Sequence, residues 1–404
     1  MRGMRELAIG AVCALALGPV GVSAPAAAAD IGLAGLIAAY NGTGQQLFQA
    51  FAKKPANIVL SPYSVGTAMA MAWVGARGEN AAEMAKVLGL ADTPEAVAAA
   101  NAEALASLKA ASSQTSQLFV ANALMLTQQG GAVTDDYVAV LRDKFAAEVF
   151  RGADLERVND WVKQKTQGKI DSILDRLNPQ TLLVVLDAIY FKAAWQTAFD
   201  AKATDDQPFH LLDGEANVPT MHLHSDFALA VRSGYRAIRL PYAGERVGMV
   251  VVLPDAGVAD VVQRLDGDEM RSLLGALRAP ARSVELSIPR FKASFKADLI
   301  EQFTALGMHR AFDFQTADFS GMTGKPQSQL PLAIDQIAHR AVIDVAEEGT
   351  EAAAASGVSV AVRAVRAPTP EVFSVDRPFL FAIVDDETGA ILFEGQIVDP
   401  RQAS

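Results

Sequence analysis

Apolar positions recur with helical spacing through residues 34–53, an alanine-rich stretch whose pattern predicts an amphipathic helix. Ser61-Pro62 marks a second helix start. A serine hydroxyl caps free backbone N–H groups, and proline suits the first turn because its missing N–H needs no partner. The apolar run behind it carries that helix to about Ala76. Asn80 opens a third helix that Gly89 closes, and Thr93-Pro94-Glu95 repeats the cap-then-proline signal.

Strand patterns come later. Residues 118–126 are apolar and long, and 181–191 form a nearly continuous apolar run, as in a strand buried on both faces. Residues 247–253 read the same way. Val284, Leu286 and Ile288 alternate with Glu285 and Ser287, the mark of a half-buried strand. Residues 379–384 and 391–398 flank Asp386-Glu387-Thr388-Gly389, a hairpin signal. Helices and strands do not alternate regularly, which disfavours a doubly wound parallel sheet. No repeat and no linker divides the chain, so residues 30–404 are expected to form one α+β domain.

Residues 1–29 depart from this pattern and read as an export signal. Arg2 and Arg5 precede an apolar run, and Ala27-Ala28-Ala29 offers a small-residue cleavage site. The run is short and broken by Gly18, Pro19 and Gly21, which argues against a membrane anchor. The expected location is therefore periplasmic or secreted, with no membrane association once the signal is removed. The only cysteine, Cys13, lies in this leader, so the mature chain would hold no disulfide.

The chain is 51% hydrophobic and 20% charged, ample for a core, with net charge −11. Removal of Arg2, Arg5 and Glu6 leaves 33 basic against 45 acidic side chains, a net −12. That balance argues against nucleic acid as a partner. Nucleophile-elbow, zinc-protease and phosphate-loop motifs are missing, and Thr323-Gly324-Lys325 lacks the flanking residues of a phosphate loop. His222 and His224 share a strand face, but no third ligand stands at a telling interval, so no metal and no cofactor is expected. Nothing points to an enzyme.

The stretch from Glu347 to Pro370 combines two characters. With a period of two, Thr350, Ala352, Ala354, Ser356, Val358, Val360 and Val362 form one face, small and then β-branched. Glu351, Ala353, Ala355, Gly357, Ser359, Ala361 and Arg363 form the other. Yet Glu347-Glu348-Gly349 reads as a turn, and the proline-rich end cannot continue a central strand.

Several blocks in order resemble the serpin family, over roughly Leu33 to Pro400. They are "NIVLSPYSV", "GARGENAAEMAKVLGL", "NDWVKQKTQGKI", "LDAIYFKAAWQTAF", "LPYAGERVGMVVVLPD", "ALGMHRAFDFQTADFSGM", "HRAVIDVAEEGTEAAAAS", "FSVDRPFLFAI" and "LFEGQIVDP". The chain looks like a secreted bacterial member. The resemblance implies three β-sheets and eight or nine helices. It also implies an irreversible suicide inhibitor of serine proteases, a monomer that ends in a covalent acyl complex with its target. An exposed loop, residues 347–370, would offer the bait bond, and after cleavage the loop would enter the large sheet as a new strand.

On that resemblance Glu347, Glu348, Gly349, Thr350, Glu351, Ala352, Ala353, Ala354 and Ala355 form the hinge, and their small side chains suit entry into a sheet. Arg363 stands fourteen residues after Gly349, the family's usual spacing, which makes Arg363–Ala364 the reactive bond. Counting back from Arg377 favours Arg366–Ala367 instead. Either arginine implies a trypsin-like protease. A polar gate beneath the large sheet maps to Asn57, Ser61, Ser64, Asp187 and His339. Asp187 stands where the family usually has asparagine, which suggests an Asp187–His339 charge pair and a pH-sensitive gate; the alternative is an aspartate satisfied by nearby hydroxyls. Trp195 and Phe199 map to the top of the sheet. The other function that remains open is a non-inhibitory serpin acting as a chaperone or binding protein.

Overall fold

The computed structural model describes residues 31–127, 133–152, 154–177, 181–350 and 369–402. From the amino end come helix α1 (Gly32–Phe51), strand β1 (Ile58–Leu60), helices α2 (Pro62–Val74), α3 (Gly78–Leu88) and α4 (Pro94–Ala111), and strand β2 (Ser116–Leu126). Helix α5 (Asp135–Phe145), strand β3 (Glu148–Arg151), helix α6 (Leu155–Lys165) and strand β4 (Leu183–Ala194) follow. Strands β5 (Asp205–His210), β6 (Glu215–Arg232), β7 (Tyr235–Pro241) and β8 (Val247–Pro254) lead to helices α7 (Val258–Arg264) and α8 (Gly267–Ala276). Then come β9 (Arg282–Pro289), β10 (Phe291–Asp298), and the short helices α9 (Ile300–Ala305) and α10 (Ser320–Thr323). The chain ends through β11 (Ile334–Ala346), β12 (Gly349–Thr350), β13 (Glu371–Ser374), β14 (Phe379–Asp385) and β15 (Ile391–Ile397). All of these belong to one compact unit, Ile31–Ser404.

The local signals act as their chemistry requires. Ser61 Oγ accepts from the Ser64 N–H at 3.1 Å and starts α2, and Thr93 Oγ1 accepts from Ala96 and starts α4. Gly89 closes α3 in the left-handed region at φ 68°. The start of α3 differs from expectation, at Gly78 rather than Asn80. Asn80 is buried and its carboxamide donates to the Asp318 carbonyl, so it serves a tertiary contact instead of a cap.

Two sheets hold the fold together. One has six strands in the order β10-β11-β12-β4-β2-β3. The other is a nine-stranded path, β1-β15-β14-β8-β7-β6-β9-β13, with β5 also on β6. The long β6 explains why this path reads as two sheets. Its Ala228–Arg232 end pairs β7, and its Thr220–Phe227 part pairs β9. The mixed α+β architecture is thus the expected one, its three sheets being the six-stranded sheet and the two arms that share β6. Every residue of α2 is buried, because the helix packs on β2, β4 and β15 from both sheets.

One core position breaks the apolar rule. Glu394, in the middle of β15, is 2% exposed, and neither carboxylate oxygen has a partner among the described residues. The elements packed most closely on β15 are β1, β14, α1 and α2, and Phe191 of β4 meets Phe393 of β15. Helices α1 and α2 and strand β1 contain no Asp, Glu, Lys, Arg or His, and Asp385 at the end of β14 is engaged by Arg246. Burial without a countercharge raises the Glu394 carboxyl from its ordinary 4.5 to about 8. The folded chain therefore keeps a proton that the unfolded chain loses, and stability falls as pH rises from 4.5 to about 8. The loss is on the order of a few kcal/mol. Glu394→Leu is expected to raise the melting temperature by several degrees at pH 8, leave it nearly unchanged near pH 4.5, and flatten the slope between. Calorimetry across that range checks this, and an unchanged slope would show that Glu394 finds a partner or water.

Candidate functional site

The six-stranded sheet has a seam. Strands β4 and β11 run parallel and pair directly from Leu183 with Ile334 up to Tyr190 with Val342. Above that level they part, and β12 enters between them. Gly349 and Thr350 pair with Ala194 and Ala193 of β4 on one side and with Ala346 and Val345 of β11 on the other. Only glycine fits at the first position. Its φ is 151°, and a Cβ there would lie 2.0 Å from the Ala193 carbonyl oxygen. Thr350 is fully buried, and its hydroxyl meets the Tyr242 hydroxyl at 2.5 Å.

The turn before β12 is held from several sides. The Trp195 N–H donates to the Glu348 carbonyl at 3.0 Å, and the Phe199 N–H to the Glu347 carbonyl at 2.9 Å. The Trp195 indole N–H donates to the Ala346 carbonyl at 2.9 Å. That indole stacks on Tyr242, with centroids 4.4 Å apart, and meets Phe199 edge-on at 6.2 Å. Trp195 and Phe199 thus stand at the mouth of the seam. The Glu347 carboxylate is buried and accepts from Thr204 Oγ1 at 2.5 Å and Arg290 Nε at 2.6 Å. Burial pushes its pKa up, and the hydrogen bonds from Arg290 and Thr204 outweigh that, leaving it below the ordinary value.

Halfway down the seam sits a buried polar cluster. In the strand register Asp187 of β4 lies between Asn122 of β2 and His339 of β11. Asp187 Oδ2 meets His339 Nδ1 at 3.0 Å, and Asp187 Oδ1 accepts the Ser64 hydroxyl. The aspartate thus touches the imidazole and a hydroxyl at once. Ser61 joins through its cap on the Ser64 N–H. Asn57 is not brought here. Its carboxamide accepts from the Val398 and Asp399 N–H groups and donates to the Asp399 and Gln402 carbonyls, so it clamps the C-terminal turn. Asn122 takes its place in the cluster, a residue whose sequence signal is a lone amide inside an apolar strand. Tyr242, Thr204 and Arg290, which support the hinge, have no comparable signal.

Glu351, Ala352, Ala353, Ala354 and Ala355 of the hinge lie outside the described residues, as do Arg363–Ala364 and Arg366–Ala367. So does the leader, 1–29. His222 meets Ser287 Oγ at 3.0 Å and Asp205 Oδ1 at 2.7 Å, while His224 meets Ser283 Oγ at 3.4 Å. Each of these two imidazoles is thus engaged by its own neighbours.

A family model described as "Serpin (serine protease inhibitor)" matches residues 38–400. The chain belongs to the serpin family. An uncharacterized serpin-like protein of Thermococcus kodakarensis is 36% identical over 375 residues, covering 91% of this chain and 86% of its own. Intracellular coagulation inhibitor 2 of Tachypleus tridentatus is 34% identical over 376 residues, covering 89% and 90%. The crystal structure of the thermophilic serpin tengpin in its native state superposes with a TM-score of 0.82 at 26% identity, covering 90% of this chain and 94% of that one. Serpins are in general protease inhibitors and not catalysts, and the seam, strand β12 and the polar cluster are features of this serpin's large sheet.

The Glu347 anchor generates a test. A folded carboxyl held below its unfolded value stabilises above that value and loses its contribution as pH falls through the folded pKa. Glu347→Lys sets a cation against Arg290 and is expected to cost roughly 1–3 kcal/mol at neutral pH, with Glu347→Gln costing less. Glu347→Gln should converge on the parent under acid conditions where the parent carboxyl is protonated, whereas Glu347→Lys keeps its repulsion from Arg290 there. Melting temperatures across that range decide it, and an equal loss in Glu347→Gln at all pH values would leave the ion pair without a role.

Proposed function

We propose that this serpin is an irreversible suicide inhibitor of trypsin-like serine proteases. The protease attacks the carbonyl of Arg363, forming an acyl-enzyme and releasing the segment that begins at Ala364. The freed strand then enters the seam between β4 and β11. The observation that carries this reading is β12: two hinge residues already occupy the seam, antiparallel to β4.

The register set by Gly349 opposite Ala194 and Thr350 opposite Ala193 can be continued downwards. Ser356 then arrives opposite Asp187, and Val360 opposite Leu183, the first residue of β4. Thr350 points into the core at Tyr242, so Ala352, Ala354, Ser356, Val358 and Val360 follow it inward. These are the small and β-branched residues of the stretch. Arg363 falls three residues beyond the end of β4, so the acylated protease is carried to the far edge of the sheet. Arg366–Ala367 is the second choice of bond on the same reading. Residues 1–29 act as a removed export signal, and the inhibitor works as a monomer outside a bacterial cytoplasm, in the periplasm or secreted.

Mixing with trypsin and running a denaturing gel is expected to show a covalent adduct. Arg363→Ala should lower its yield at least tenfold, and Arg366→Ala should leave it nearly unchanged. Cleavage beside Arg363 without a trapped protease should raise the melting temperature by tens of degrees. Turnover as a plain substrate with no rise would favour the chaperone or binding-protein reading. The gate supplies a further expectation. Asp187→Asn replaces the acid of the acid–imidazole contact and should flatten the pH profile of adduct formation; an unchanged profile would remove that contact from the gating step.

A further inference from the structure

The foot of the seam is fastened differently from the rest. Strand β11 pairs with β4 residue by residue except at one point, where the register shifts between Ile334 and Gln336 and leaves Asp335 without a partner in the ladder. A bulge of this kind re-aims a side chain. Here the half-buried carboxylate reaches across to the other strand. Asp335 Oδ2 accepts from the Leu182 N–H at 2.6 Å and from the Leu183 N–H at 3.2 Å, where β4 begins.

A second aspartate holds the other side of β11. Asp298, at the end of β10, pairs with Ala338, and its Oδ1 accepts from the Ile337 N–H at 3.1 Å and the Ile300 N–H at 3.2 Å. Strand β11 is thus moored to β10 by one carboxylate and to β4 by the other. A strand entering between β4 and β11 treats the two differently. It leaves the Asp298 contacts whole, because β10 lies on the far side of β11. It breaks the Asp335 contacts, because they cross the seam. The register continued from Gly349 opposite Ala194 brings Val360 and Ala361 to the level of Leu183 and Leu182, whose N–H groups Asp335 already occupies.

We propose that Asp335 is a latch at the foot of the seam, a positioning residue that resists the last stage of strand entry, so that an entering strand fills the upper seam before the foot gives way. Hydrogen bonds to an ionised acceptor are stronger than those between neutral groups. The carboxylate therefore makes the foot the firm end of the seam, and the partly satisfied cluster at Asp187 the yielding one. The latch rests on the inhibitory reading in one respect, that the seam admits a strand, and not on which protease is trapped.

The test uses the full chain and two fluorescently labelled synthetic peptides. One copies residues 351–356 and reaches the level of Asp187; the other copies 351–362 and passes Leu183. Uptake is followed by fluorescence anisotropy. Asp335→Ala is expected to speed uptake of the longer peptide by roughly tenfold or more and to leave that of the shorter nearly unchanged. Asp335→Asn keeps an acceptor without the charge and should fall between parent and Asp335→Ala; it decides the matter should Asp335→Ala fail to fold. Asp298→Ala loosens the same corner of the sheet without touching the seam, and should leave the ratio of the two rates at the parent value. A longer-peptide rate unmoved by the Asp335 variants, equal acceleration of both peptides, or a ratio raised as much by Asp298→Ala overturns the latch, as does uptake of neither peptide. An absent trypsin adduct beside the expected peptide rates overturns the choice of protease and leaves the latch standing.

Discussion

Everything in this molecule is arranged around the parallel contact between β4 and β11. A sheet cannot admit a strand at its centre by bending; the backbone bonds along the seam must be exchanged for two new ladders. The seam is closed below Val342 and Tyr190 and already occupied above them by Gly349 and Thr350. Roughly a dozen new backbone pairings at about 1 kcal/mol each come to something on the order of 10 kcal/mol, comparable to the whole stability of a domain. On the inhibitory reading, that exchange is the energy source of the trap. The left-handed strain and close approach at Gly349 then matter because they fix where the entering strand starts and in which register.

On the same reading, the polar cluster halfway down the seam bears on how costly the exchange is. Asp187, His339 and Ser64 hold three elements at one level: β4, β11 and α2. Two donors or acceptors of the same region, an end of the Asn122 amide and His339 Nε2, have no partner among the described residues. A buried network that is only partly satisfied is weaker than either a complete one or an apolar core. The seam therefore closes on a contact that is specific in geometry but incomplete in energy, which on the inhibitory reading suits a sheet that opens.

Much of this was legible before any coordinates. The hydroxyl-then-proline starts at Ser61 and Thr93, the apolar run of β4 and the hairpin of β14 and β15 depend on nearest-neighbour chemistry, and they fall where their patterns place them. The elements that escaped are those decided by tertiary contact. Asn80 looks like a cap and is a buried bridge to Asp318. Asn57 fits the family's gate by alignment, yet its carboxamide is claimed by the C-terminal turn. Nothing local tells that β6 serves two arms of a sheet, because its bifurcation depends on which strands lie beside each half. The ring of Tyr242 and the guanidinium of Arg290 are ordinary residues in sequence and reach the hinge only through the fold.

Five of the eleven unpartnered buried side-chain atoms among the described residues fall at two places that share one neighbour. Asn122 and His339 lie at the seam, and Glu394 and Gln396 lie on β15. Helix α2 packs on β2 and β4 at the first place and on β15 at the second. It is wholly buried and carries no charged residue, so it offers dispersion and hydroxyls to both sheets and a countercharge to neither. An apolar central helix is what lets two sheets meet at crystal-like density. The same helix meets Asp187 and Asn122 through the Ser64 hydroxyl and gives the Glu394 carboxylate and the Gln396 Oε1 no partner. The helix at the centre of the fold thus accounts for deficits on both of its sides.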